Sequence, residues 1–273
     1  MRVWLITGAG RGLGRAFTEV ALQAGDRVVA TVRDPAALPE REGLRVLTLD
    51  VRDRDAVFTA VAEAHAAFGR LDVVVNNAGY GIVGGAEEVS EADARAQLDT
   101  NLLGPLWVTQ AALPFLREQR GGHIVQISTT GAVGTVPLLG LYNASKWGLE
   151  GFSEALAAEV AGFGIRVTIA ELGGFGTDWA GSSMAFAAPN AAYDELRTAL
   201  FGTAQVPWPA GDGATGEPDP RAAAAALLAH VDAEPGPLRL MIGDDAPEHI
   251  ALALDTRRQD YARDLRFTWP TGP

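Results

Sequence analysis

The stretch Val3-Trp4-Leu5-Ile6-Thr7-Gly8-Ala9-Gly10-Arg11-Gly12-Leu13-Gly14 decides the fold. Four apolar residues in succession read as a short strand covered on both faces, because a strand with one wet face alternates apolar and polar positions. The glycines that follow let the backbone turn sharply, and residues 15–23 then carry apolar side chains three and four apart, the period of a helix. A strand, a glycine turn and a helix start in that order suit a diphosphate. The small turn permits close approach, and backbone N–H groups at a helix N-terminus attract negative charge. The spacing is Gly-x-x-x-Gly-x-Gly, which departs from the Gly-x-Gly-x-x-Gly fingerprint, and the Lys-Ser/Thr of a nucleotide-hydrolysing loop is missing.

Outward from this turn the pattern repeats. Residues 28–32, 44–49, 73–75, 124–127 and 165–170 read as further strands, and residues 56–68 and 146–160 as helices between them. Strand-helix alternation predicts an α/β fold, a single-domain doubly wound (Rossmann-like) parallel sheet over residues 1–273 with helices on both faces. The alternation fades over residues 173–220. That stretch holds Trp179, Met184, Phe186, Tyr193, Phe201 and Trp208 and ends in a Gly/Pro/acid-rich turn. A long irregular insertion rich in aromatics predicts a substrate lid. Residues 220–230 then read as a helix, 238–242 as a last strand and 248–265 as a terminal helix.

Composition narrows the class of function. Lys+Arg 22 against Asp+Glu 34 leaves a net charge of −12, a field that repels nucleic acid and anionic membrane surfaces. There is no cysteine, which excludes disulfides, thiolate nucleophiles and Cys-ligated metal centres and fits a cytoplasmic location. The four histidines show no metal-binding spacing, and no metal is expected. The apolar start is too short for a signal-peptide core, and the alanine-rich run at 222–229 is far shorter than a membrane span.

The end of the second strand bears on the cofactor. Dinucleotide folds place an acidic side chain there for a ribose 2′-OH, and an Arg for a 2′-phosphate. Val32 occupies the acidic position, Arg33 follows it, and Arg11 lies in the glycine turn. Two guanidinium groups suit a phosphate, so NADP(H) is expected ahead of NAD(H). Asp34 is the residue that opposes this reading.

Tyr142-Asn143-Ala144-Ser145-Lys146 sets a phenol and an ammonium at i and i+4 on one helix face. A phenol near pH 10 is too weak an acid for neutral-pH chemistry. A neighbouring cation lowers that value, and a drop of about three units needs roughly 4 kcal/mol. The expectation is an acidified Tyr142 that exchanges a proton with a carbonyl or alcohol.

With these motifs in order, the chain resembles the single-domain short-chain dehydrogenase/reductase family. Thr7-Gly8-x-x-x-Gly12-x-Gly14, Leu49-Asp50-Val51, Asn76-Asn77-Ala78-Gly79, Asn101, a hydroxyl-bearing segment after Ile127 and Tyr142-x-x-x-Lys146 carry the resemblance. It implies that Gly8, Arg11, Gly12, Leu13 and Gly14 cradle the diphosphate, and that Asp50 and Val51 meet the adenine. Asn77 and Gly79 would line the ribose side, while Lys146 would bind the nicotinamide ribose and tune Tyr142. Asn101 would complete a proton path. Gly173 and Thr177 would border the nicotinamide. The family's serine, thirteen residues before the tyrosine, is Thr129 here, with Ser128 the competing hydroxyl one place earlier. The family's Pro-Gly after the sixth strand is Leu172-Gly173, which implies a more mobile lid. By resemblance the chain is a ketoreductase-like enzyme acting on a ketone or secondary alcohol, assembled as a homodimer or homotetramer, and the aromatic and aliphatic lid points to an apolar substrate. A dinucleotide-binding sensor with little turnover is the alternative. A methyltransferase has no use for the Tyr-Lys-Asn set, and a serine hydrolase lacks its Gly-x-Ser-x-Gly elbow.

Overall fold

The computed structural model describes residues 1–175, 184–207, 218–233, 236–268 and 270. Its strands are β1 (Val3–Ile6), β2 (Arg27–Val32), β3 (Leu44–Thr48), β4 (Val73–Asn76), β5 (Gly81–Val83), β6 (Gly122–Thr129), β7 (Ile165–Leu172), β8 (Met184–Phe186) and β9 (Arg239–Ile242). The α-helices are α1 (Gly12–Gln23), α2 (Arg54–Phe68), α3 (Glu91–Leu98), α4 (Gly104–Glu118), α5 (Gly140–Val160), α6 (Asp194–Phe201), α7 (Pro220–Asp232) and α8 (Ala246–Tyr261). The described residues form a parallel sheet of seven strands in the order β3-β2-β1-β4-β6-β7-β9.

The unbroken apolarity of β1 now has its reason. Trp4 and Ile6 pack in one layer with Phe17 of α1 and Leu227 of α7. Val3 and Leu5 face the other layer with Val61 of α2, Val108 of α4 and Leu156 of α5. Each such fully buried side chain contributes about 1.5–3 kcal/mol, so both faces of the sheet are closed by burial.

Helices cover both sides because the strand order reverses at β1, which has β2 on one side and β4 on the other. A crevice opens beyond the C-terminal ends of strands at such a reversal. Here the loops after β1 and β4 are knitted together. Thr7 Oγ1 accepts hydrogen bonds from Asn77 N and Ala78 N at 3.0 and 3.1 Å. The Asn77 amide donates to Thr7 O and Gly8 O at 2.9 and 3.1 Å. Gly8 has φ +66°, and a Cβ there would stand 2.9 Å from Ala78 Cα.

Two expectations need correction. The stretch expected to be irregular contains β8, α6 and a turn of 3₁₀ helix at Ala191–Tyr193. β8 pairs in parallel with β5, Gly81 opposite Met184 and Val83 opposite Phe186. Three-residue strands paired across a hundred residues leave no local periodicity to read. The terminal helix ends at Tyr261 instead of 265. Trp179 and Trp208 lie outside the described residues. Among the described residues no helix is long and apolar enough to cross a membrane.

Candidate active site

Helix α5 begins at Gly140, so Tyr142 and Lys146 lie in its first turns, where it meets the end of β6. They are only 7% and 6% exposed. Lys146 is the one lysine of the whole chain; the other 21 basic residues of the 22 are arginines. Its Nζ donates to Ile127 O of β6 at 2.8 Å. A Cβ on Gly79 would come within 3.6 Å of Lys146 Nζ and 3.1 Å of Asn101 Oδ1, so the loop after β4 lies directly against both.

Asn101 sits in a π-helical turn, Asp99–Leu103, between α3 and α4. Its side chain is fully buried. Asn101 Nδ2 donates to Tyr80 O at 2.9 Å and to Ser145 Oγ at 3.1 Å, while its Oδ1 accepts from Tyr80 N at 3.1 Å. The sequence shows a helical stretch here but not the wider turn that rotates Asn101 inward. Gly104 closes the turn by donating its N–H to Asp99 O, and it packs so closely on Val51 that a Cβ there would lie 2.8 Å from Val51 Cγ2. Gln97, unremarked in the sequence, stands one turn before Asn101. Its Nε2 donates to Tyr80 O at 2.5 Å and its Oε1 accepts from Ile82 N at 3.0 Å. The signal was the i, i+4 pairing of two amides, which grip the same backbone.

The two competing hydroxyls on β6 point opposite ways, as neighbours on a strand must. Thr129 hydrogen-bonds the Tyr142 phenol and accepts Gly131 N at 3.2 Å. Ser128 turns away and donates to Glu150 Oε1 at 2.6 Å.

In the chain by itself the electrostatic balance at Tyr142 runs opposite to the direction expected of the Lys146 ammonium. Burial pushes the Tyr142 phenol above its ordinary value, and the Thr129 hydrogen bond offsets part of that. Burial also pulls Lys146 down to about 8, against the opposing charge of Glu150. Helical spacing placed the pair on one face but said nothing of the desolvation both groups suffer, which is the first cause of each shift.

The cofactor-side residues are placed as follows. Gly12, Leu13 and Gly14 open α1, which no side chain caps and whose first turn holds no acidic residue. A Cβ on Gly14 would run into Gly8 O and lie 2.5 Å from Asn77 Nδ2. Arg11 and Arg33 are exposed and Val32 is buried, and a Cβ on Gly10 would lie 3.5 Å from Val32 Cγ1, so the end of β2 abuts the glycine turn. Asp34 Oδ1 accepts Ala36 N at 3.0 Å, capping a short 3₁₀ turn. Asp50 pairs with Arg52 at 2.5 Å, which holds its carboxyl below the usual range. Gly173 N donates to Ile242 O at 2.8 Å, at the end of β7. Thr177 lies outside the described residues. Loops packed too closely for a Cβ at Gly8 or Gly14, beside a helix start that no side chain caps, fit a dinucleotide.

Comparison with known proteins sets the class. The short-chain dehydrogenase family model matches residues 2–187. The chain belongs to this family of oxidoreductases, which bind a nicotinamide dinucleotide. It is similar to the oxidoreductase BOA17 of Botryotinia fuckeliana, 40% identical over 260 residues and 93% of each chain. Among solved structures, a short-chain dehydrogenase from Streptomyces avermitilis is 37% identical with a TM-score of 0.85 over 96% of this chain and 97% of that one. A metagenomic short-chain oxidoreductase solved in complex with NADP is 34% identical, TM-score 0.60, over 63% of this chain and 82% of the other.

Proposed function

We propose that this oxidoreductase is NADP(H)-dependent and reduces a ketone on an apolar substrate, with Tyr142 as the general acid. The observation that carries the reading is that Lys146 and Asn101 lie against Gly79 after β4, while Thr129 hydrogen-bonds Tyr142 one helical turn from Lys146. The reduced nicotinamide supplies the hydride. Tyr142 gives its proton to the carbonyl oxygen, and the upward push of burial keeps that phenol protonated beforehand. Thr129 donates its one hydroxyl proton to the Tyr142 oxygen and so stabilises the phenolate left behind. Lys146 holds the nicotinamide ribose, and Asn101 fixes the loop against which that ribose rests.

NADP is favoured over NAD by Arg33 and Arg11 beside the glycine turn, by the commitment of Asp34 to a backbone cap, and by the NADP carried by the metagenomic relative. The apolar character read for the substrate is in keeping with the buried cluster in which Met184, Phe186 and Phe201, from the segment expected as a lid, pack with Val83 and Leu138.

The test mixes the protein with NADPH or NADH and a panel of hydrophobic ketones and follows nicotinamide fluorescence. NADPH-dependent turnover is expected, lost in Tyr142→Phe with NADPH affinity retained. Full turnover in Tyr142→Phe would overturn the assignment of the acid.

A further inference from the structure

Behind the proposed site lies a buried polar cluster that the chemistry above does not use. Glu150 follows Lys146 by one helical turn on α5 and is only 6% exposed. Ser128 of β6 donates to it at 2.6 Å. Arg239 of β9 approaches it at 3.5 Å and also contacts Glu154 of α5. Glu171 of β7 hydrogen-bonds it and stands 2.8 Å from Arg239 Nε, an ion pair in which the N–H is not aimed at the oxygen. These side chains and Lys146 are the charged and titratable groups brought to Glu150 by α5, β6, β7 and β9.

We propose that Glu150 is a positioning residue for Lys146: pinned by Ser128 and Arg239, its carboxylate is the buried counter-charge that keeps the ammonium charged and aimed at the end of β6. Two adjacent bonds join the same elements at the same level, Lys146 to Ile127 O and Ser128 to Glu150. Residues at i and i+4 sit about 5–6 Å apart at Cβ. At that distance, away from water, a carboxylate stabilises an ammonium far more than it does on a surface. The direction of the effect agrees, since Glu150 opposes the downward pull of burial on Lys146. Burial also pushes Glu171 up to about 7, with the Glu150 charge next in order and Arg239 opposing. Burial raises Glu150 as well, but the Ser128 hydrogen bond and Arg239 favour its charged form.

The sole lysine makes the test direct. Isotope-labelled lysine gives a single side-chain resonance, whose pH titration in the nucleotide-free protein reports Lys146 alone. Glu150→Gln keeps an acceptor for Ser128 but removes the charge. Its midpoint is expected to fall by about one unit, the size of effect a buried neighbouring charge exerts. Ser128→Ala, which loosens the carboxylate, serves if Glu150→Gln does not fold, and a smaller fall is expected there. An unmoved or raised midpoint in Glu150→Gln, or in Ser128→Ala in its place, overturns the proposal. The catalytic consequence rests on the reductase reading: the alkaline limb of kcat/KM should move with the resonance midpoint, whereas a merely structural role lowers the rate at every pH. Absence of turnover in the wild type sinks the reductase reading and leaves the titration result standing by itself.

Discussion

The hydroxyl of Thr129 hydrogen-bonds the phenol of Tyr142, tying the last residue of β6 to the first turn of α5. This bond favours the phenolate and so works against the burial that raises it. In carbonyl reduction the phenolate is the product form, and the bond strengthens as the proton leaves. Thr129→Val should therefore lower kcat/KM by about 10- to 100-fold, the equivalent of the ~1.5–3 kcal/mol of a hydrogen bond to a charged group. Thr129→Ser keeps the donor and should retain most of the activity. Steady-state kinetics on both variants decide it; equal rates for Val and Ser would remove Thr129 from the chemistry.

Arg33 is exposed beside the glycine turn, and its neighbour Asp34 is engaged in a backbone cap. Replacing Arg33 by Ala should weaken NADPH by roughly tenfold or more, the scale of a charge-assisted contact to phosphate, and leave NADH nearly unchanged. Fluorescence titrations with both nucleotides measure the ratio. Equal weakening of both would point to a general effect on the fold of the edge.

His123, 3% exposed, makes a 2.8 Å hydrogen bond through Nε2 to Thr168 Oγ1, which also bonds His230. Burial pulls its pKa down to about 3. The unfolded chain takes up this proton near pH 6.5, and the folded protein does not until about pH 3. Stability from this group is thus complete above about pH 6.5 and is lost as pH falls toward 3, at about 1.4 kcal/mol per unit. Thermal melts of His123→Gln should show a shallower decline between pH 6.5 and 4.5 than the wild type. Parallel curves would refute the contribution.

Arg197 on α6 pairs with Glu88 at 2.8 Å, and both side chains are 2% exposed. Arg197 also bonds Asn190 O and Asp194, so it ties α6 to the loop after β5. Removing one partner of a buried pair leaves the other charge uncompensated, at a cost of up to about 3–5 kcal/mol. Arg197→Met should speed hydrogen exchange across residues 184–201 while the seven-stranded sheet stays protected. It should raise KM more than it lowers kcat. Uniform loss of protection throughout would show that α6 is integral to the main core.

The fold was largely legible because its decisive signals are local. The apolar run Val3–Ile6, the glycines from Gly8 to Gly14 and the i, i+4 spacing of Tyr142 and Lys146 each report a conformation set by residues within a few positions. Each of the seven strands of the main sheet lies on a segment that reads as a strand, whereas their order is visible only in the folded chain. The pairing of β5 with β8 was hidden because neither strand is long enough to show a period.

What residues 1–273 determined by themselves was which side chains can reach the same crevice. The tertiary structure alone decided their surroundings, and with them the direction in which each group's acidity moves. Whether Tyr142 is made more or less acidic, which of Ser128 and Thr129 faces it, and that Glu150 stands behind Lys146 all depend on what packs around them. Periodicity encodes direction along one element, whereas desolvation and counter-charge come from elements distant in sequence that meet only once the chain has folded.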